Sequence, residues 1–354
     1  MQRARRVGDF IFERLLFESP TGAFQDWLAR HVSYEKATRR ARLYLVTRQA
    51  AEQERDILRK AADREFKVLE RLNHPGIVRA DIPTECDYGP VLFLRADPES
   101  QRLDHFLQAH GHSLSVDARL DILRQLADVV RYAHGQRVVH RSLSPQCILL
   151  KREADGRCAV QVFNWQTGIR LPSASTTAGT RVSATLHAGQ LLEDASLVFL
   201  APEALAGGAD GGPELDIFSL GALAYLLFTG RPPAASQAEL QEKLRLSGGL
   251  NIAEALDGAV TALQDLVRYT ANADVSLRYD IDEFLEKLGD VEDELTRPSG
   301  EWVNPLNAKQ GDRLEGGFKV LKRLGGGDIG VQLLQAGAVL LMELRSGQLG
   351  DAGQ

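Results

Sequence analysis

His140-Arg141-Ser142-Leu143-Ser144-Pro145-Gln146-Cys147-Ile148-Leu149-Leu150 is the stretch on which the reading of this chain turns. Ahead of it, Leu120, Leu123, Leu126, Val130 and Ala133 recur at helical steps and draw one apolar stripe along residues 116–134. That helix delivers the chain to Val138-Val139 and the polar loop. Behind it, Val160-Gln161-Val162-Phe163 alternates as a strand does and runs into Asn164-Trp165-Gln166. An ordinary serine hydroxyl such as Ser142 cannot act as a general base. Cys147 offers a soft sulfur, a poor ligand for a hard cation. Asn164 offers a carbonyl oxygen without a charge.

These residues resemble landmarks of the protein-kinase superfamily. The family's catalytic loop reads His-Arg-Asp-Leu and then, four residues on, Asn; here Ser142 stands for the Asp and Cys147 for the Asn, while His140 and Arg141 are retained. Val162-Phe163-Asn164-Trp165-Gln166 stands where the family has Asp-Phe-Gly, so Asn164 replaces that Asp. Three further landmarks follow in order: Ala201-Pro202-Glu203, Asp216-Ile217-Phe218-Ser219-Leu220-Gly221 and Ser276-Leu277-Arg278-Tyr279-Asp280. The resemblance implies that Asp216 braces the loop backbone and that Arg278 pairs with Glu203. It also implies an α+β, bilobal kinase-like fold, with a small β-rich N-lobe over residues 1–98 and a helical C-lobe over 99–292. Phosphoryl transfer in this family needs positioning and charge neutralisation by an acidic base and two magnesium ions. With all three acidic or amide positions changed, no catalytic residue is intact.

The N-lobe carries the resemblance more faintly. The phosphate-covering loop falls near Ser19-Pro20-Thr21-Gly22-Ala23-Phe24, where Gly22 is the sole glycine. Short strands and turns are expected over residues 10–46. Leu43-Tyr44-Leu45-Val46 falls near the strand that should carry a phosphate-binding lysine; Tyr44 takes that place, with Leu45 the next choice. A helix is expected over 53–72, with Leu58, Ala62, Phe66 and Leu69 on its apolar side. Glu65 takes the place of the helix glutamate that pairs with the lysine. With no lysine, Glu65 is read as a charged residue on a partly exposed face. Residues 172–186 form a polar loop in the position of an activation segment, with Ser173, Ser175, Thr176, Thr177 and Thr180 open to modification. Trp165 is read as core packing.

The chain has 354 residues, a net charge of −6, 44% hydrophobic and 25% charged residues, as in an ordinary globular protein. This balance gives no reason to expect nucleic acid or an anionic membrane as a partner. Arg3, Arg5 and Arg6, and Arg39, Arg40 and Arg42, are read as solvated faces or linker ends. Cys86, Cys147 and Cys158 fit neither a disulfide framework nor a zinc spacing, so a reducing cytoplasm is expected. No metal site is expected: His105, His110 and His112 read as solvated, and His140 with Cys147 is explained by the loop rather than by thiol catalysis.

Residues 293–309 read as a linker, with Pro298, Gly300 and Pro305. Behind it, Gly325-Gly326-Gly327-Asp328-Ile329-Gly330 matches Gly-x-Gly-x-x-Gly, placing Gly325, Gly327 and Gly330 in a second phosphate-loop pattern. Residues 310–354 therefore read as the truncated start of a second kinase-like N-lobe, with three strands at most. A degenerate kinase-like domain followed by a second kinase start resembles the tandem kinase region of bacterial BREX, or phage growth limitation, serine/threonine kinases. Residues 65–78, Arg102-Leu103-Asp104-His105-Phe106-Leu107 and Trp302-Val303-Asn304-Pro305-Leu306-Asn307 carry that likeness. It implies a regulatory pseudokinase that requires neither ATP nor magnesium and works on a protein partner, a kinase domain or a defence-complex subunit. The alternative is a weak ATP-dependent serine/threonine kinase, with nucleotide near Gly22, Tyr44, Glu65 and Asn164.

Overall fold

The computed structural model describes residues 6–46, 52–171, 192–205, 211–296 and 309, and strands between 313 and 344. The chain divides into two compact units, 1–295 and 296–354.

The first unit opens on an antiparallel sheet in the order β1-β2-β3-β4-β6-β5. Its strands are β1 (Arg6–Val7), β2 (Phe10–Glu18), β3 (Phe24–His31), β4 (Thr38–Tyr44), β5 (Thr84–Cys86) and β6 (Gly89–Leu94). The three strands of residues 10–44 run 9, 8 and 7 residues, longer than the short strands expected from sequence. β2 and β3 are joined by a tight turn in which Ser19 N–H donates to Phe24 O (2.9 Å) and Gly22 N–H to Ser19 O (2.8 Å). Gly22 has φ +71°, a conformation that glycine adopts without steric cost. At Gly89 (φ +130°) a Cβ would lie 2.1 Å from the Tyr44 carbonyl oxygen, so only glycine lets β6 approach the end of β4.

Helix α1 (Glu52–Leu69) crosses this sheet. Leu58, Ala61 and Ala62 pack with Phe24 and Tyr44 in a small cluster. The expected apolar side is observed, although the helix ends three residues before the predicted 72. Residues 76–78 then stitch the N-lobe to the C-lobe: Val162 N–H donates to Gly76 O (2.8 Å) and Val78 N–H to Val162 O (3.0 Å).

The C-lobe is helical, and the main core sits there. Its elements are β7 (Gln101–Arg102), α2 (Leu103–His110), α3 (Val116–Gly135), β8 (Val138–Val139), β9 (Ile148–Arg152), β10 (Cys158–Val162), β11 (Ile169–Arg170), α4 (Pro202–Leu205), α5 (Glu214–Thr229), α6 (Gln237–Ser247), α7 (Thr261–Thr270) and α8 (Ile281–Thr296). Ser115 caps α3 by accepting from Ala118 N–H at 3.1 Å. All five stripe residues of α3 are buried; burying each leucine stabilises the fold by about 1.5–3 kcal/mol. α5 is buried on nearly every side, from Leu215 to Leu227, which suits a helix with no polar face. α8 runs past residue 292 to Thr296, into the stretch read as linker.

The second unit is a four-stranded antiparallel sheet, β12 (Arg313–Leu314), β13 (Phe318–Arg323), β14 (Ile329–Gln335) and β15 (Ala338–Leu344), one strand more than the three expected. Gly330 lies in β14 opposite Glu343. Gly325 and Gly327, and the polar loop 172–186, lie outside the described residues. Among the described residues, no helix is long and apolar enough to cross a membrane.

Candidate functional site

The loop holding His140, Arg141, Ser142 and Cys147 hangs between β8 and β9, and Asn164 follows β10. β9 and β10 pair antiparallel, Ile148 opposite Val162, and this register brings Cys147 and Asn164 together. Asn164 Nδ2 lies 3.6 Å from Cys147 Sγ, and Cys147 Sγ lies 3.2 Å from the Ser142 carbonyl oxygen. The three positions that set the sequence reading thus form one buried cluster.

Asp216, in the first turn of α5, holds the loop. It accepts the backbone N–H groups of His140 and Arg141, each at 2.8 Å, and its Oδ2 lies 3.0 Å from His134 Nε2. Burial raises the Asp216 carboxyl, but His134, His140 and the loop amides hold it below its ordinary value. Arg141 needs the help, because its φ of +70° is left-handed and unusual for an arginine. Arg278 donates to both Glu203 oxygens, one at 3.1 Å, to Asn272 O (2.8 Å) and to Glu214 O (3.1 Å). These bracing roles follow the resemblance.

The cleft side is different. Glu65 is fully buried, not partly exposed as the sequence suggested. Its carboxylate accepts from Tyr44 Oη (2.5 Å), from Trp165 N–H (3.0 Å) and from Arg42 Nη1 (3.4 Å). Tyr44 therefore does reach the glutamate from the lysine's expected place. The cation that pairs with Glu65 is Arg42, two residues earlier on the same face of β4. Arg42 also donates from Nε and Nη2 to Asp26, at 2.8 and 3.0 Å, and from Nη1 to Asn164 Oδ1. Arg40 Nε donates to Asp26 at 2.9 Å.

Arg42 is 1% exposed and Arg40 7%, which overturns their reading as solvated charges. Arg39, which pairs with Asp81, stays partly exposed. Phe24 and Phe163 lie against the Arg42 guanidinium, 4.4 and 5.4 Å from ring centre to Cζ. The sequence signal for this network was the two-residue period itself. Arg40, Arg42 and Tyr44 alternate with Ala41 and Leu43, and Asp26 faces Arg42 directly in the β3–β4 register.

Burial pushes the Asp26 carboxyl up, but Arg42 and Arg40 pull harder and set it at about 2. In the unfolded chain it titrates near its ordinary 3.8, so the unfolded state binds more protons between the two values. The stability from Asp26, about 2 kcal/mol, is complete above about pH 5 and is lost as pH falls toward 2. In acid titrations of stability, wild type should lose that much more than Asp26→Asn over this range. Equal losses would contradict the pairing.

This donor set does not suit magnesium and a nucleotide. Asn164 Oδ1, the oxygen that would face a metal, already accepts from Arg42 and from Gln166 Nε2. Burial drives the Cys147 thiol up to about 11, so it stays protonated and is no ligand. Ser142 Oγ is 2.5 Å from Thr167 Oγ1, which donates to His140 O at 3.0 Å, so the loop's base position is tied to the following segment. Burial lowers the His140 imidazole pKa, and its Nε2 faces Phe163 O at 3.1 Å. Trp165 is buried, its ring 4.5 Å from that of His140. His105 and His112 are exposed, and no group of three metal-ligating side chains occurs among the described residues.

A family model of the protein kinase domain matches residues 32–288. This chain belongs to the protein kinase family. It is 35% identical over 354 residues to "Probable kinase PglW" of Streptomyces coelicolor, covering 91% of this chain and 22% of that protein. It is 28% identical over 214 residues to "Calcium/calmodulin-dependent protein kinase type 1" of Macrobrachium nipponense, covering 60% of this chain and 55% of that one. A third kinase, "NUAK family SNF1-like kinase 2" of Pongo abelii, is 28% identical over 172 residues, 48% of this chain and 24% of the relative. The chain thus spans about a fifth of the Streptomyces kinase and little more than half of the second relative. The kinase landmarks of the C-lobe sit on this match, while the buried Asp26–Arg42–Glu65 network is read from the structure.

Proposed function

We propose that this kinase-fold unit transfers no phosphate and serves as a nucleotide-independent, protein-binding regulatory module. Its setting is a bacterial, phage-defence-type system in the cytoplasm. One observation carries the reading: the Arg42 guanidinium lies buried in the cleft, bonded to Asp26, Glu65 and Asn164, and so takes up the Asn164 oxygen that a metal nucleotide would need. The changes at Ser142 and Cys147 act in the same direction. Residues 310–354 are, in this reading, the opening of a second kinase N-lobe, since β13 ends just before the Gly325–Gly330 pattern and its antiparallel partner β14 begins at the pattern's last two residues. The partner is a protein, either a kinase domain or a defence-complex subunit.

The test is a thermal-unfolding scan with and without ATP and magnesium. A ligand at about 100 times its Kd adds roughly 2.7 kcal/mol, which is a rise of several degrees. No rise is expected. A magnesium-dependent rise, followed by phosphate transfer to a protein substrate, would favour a weak serine/threonine kinase instead.

A further inference from the structure

A second buried arginine shares none of the hydrogen bonds of the Arg42 network, although its charge acts on Arg40. Arg102 ends β7, where the chain passes from the N-lobe into α2, and it is 5% exposed. Nε and Nη2 donate to Asp104, at 3.1 and 2.6 Å, in the first turn of α2. Nη1 and Nη2 donate to Glu193, at 2.8 and 3.0 Å. The guanidinium lies over the Phe17 ring, 4.3 Å from its centre. These partners come from three places. Phe17 is on β2 in the N-lobe, two residues before Ser19, where the β2–β3 turn begins. Asp104 is on the C-lobe. Glu193 immediately precedes the 194–199 turn that leads into Ala201-Pro202-Glu203.

A planar fork held by two carboxylates has its orientation fixed, and that orientation lays its face on an aromatic ring. Removing Glu193 frees two of its bonds and leaves the fork to follow Asp104 alone. The contact with Phe17, worth more when desolvated, depends on that orientation. We infer that Arg102 is an interlobe strap that couples the Glu193 turn to the β2–β3 turn, so that a partner displacing Glu193 loosens the N-lobe. This coupling makes no use of the nucleotide reading and stands or falls apart from it.

Hydrogen exchange on the full chain tests the strap. The reporters are the Ser19 and Gly22 amides, which are bonded within the β2–β3 turn and touch neither Glu193 nor Arg102. Glu193→Gln should speed their exchange about tenfold, as should Arg102→Lys, which keeps the charge but loses the fork. Adding Glu193→Gln to Arg102→Lys should change them no further, because the coupling runs through one side chain. Faster exchange confined to residues 193–200, or additive effects in the double variant, would overturn the inference. Both substitutions are mild; if Arg102→Lys does not fold, Phe17→Leu combined with Glu193→Gln gives the same cycle, again with non-additivity expected. ATP binding in the thermal scan would remove the functional reading and leave these outcomes as they are.

Discussion

Arg42→Met should destabilise the first unit by about 3–5 kcal/mol, because it leaves Glu65 a buried carboxylate without its cation and Asp26 with Arg40 alone. In a domain of this size that is a fall of roughly 10 °C in Tm. The magnitude follows from the geometry. Arg42 is 1% exposed and supplies Asp26 with two hydrogen bonds and Glu65 with its counter-charge. Its partners have no water to turn to. The companion experiment is Asp26→Leu added to Arg42→Met. Glu65 keeps the Tyr44 hydroxyl and the Trp165 amide. Exchanging an isolated buried pair for apolar residues is often neutral, but Asp26→Leu also takes the carboxylate from buried Arg40, so the double variant should recover less than half of the loss. A single variant that melts within about a degree of wild type would mean that Arg42 is not the keystone of the cleft.

Asp216→Ala should lower stability by about 3 kcal/mol, measured as a shift of the urea midpoint at unchanged slope. The substitution strands two buried amides, those of His140 and Arg141, and removes the partner of His134. It also releases the constraint that keeps Arg141 in a left-handed conformation, where strain of about 1–3 kcal/mol is stored. Asp216→Asn keeps one acceptor and should lose about half as much. The His140 and Arg141 amides should exchange faster in both variants than in wild type. A loss below about 0.5 kcal/mol would show that the loop is held by its apolar neighbours and not by the carboxylate.

The two predictions differ in how far the sequence foretold them. Asp216, Glu203 and Arg278 were readable because their neighbours form ordered motifs at fixed separations, and such motifs survive as words. The α3 helix was readable from its stripe. Arg42, Arg40 and Asp26 were not, because an arginine in isolation is far more often solvated than buried. Its meaning depends on a partner in another strand, and pairing between strands is a register that no single stretch displays. Glu65 was misplaced for the same reason. Its burial follows from Arg42, Tyr44 and the Trp165 amide together, three groups spread from residue 42 to residue 165. Arg102 resembled part of a family motif, but its hold on Phe17 and Glu193 joins segments that are distant in the chain.

The buried guanidinium of Arg42 has one further consequence. A dissociable ligand stabilises its protein only in proportion to the logarithm of its concentration, and its benefit fades when the cell's supply falls. Arg42 is covalently part of the strand it stabilises, so it occupies the cleft at an effective concentration that dilution and metabolism leave unchanged. On the proposed reading, a domain built this way offers its partners the same surface in a starved cell as in a growing one.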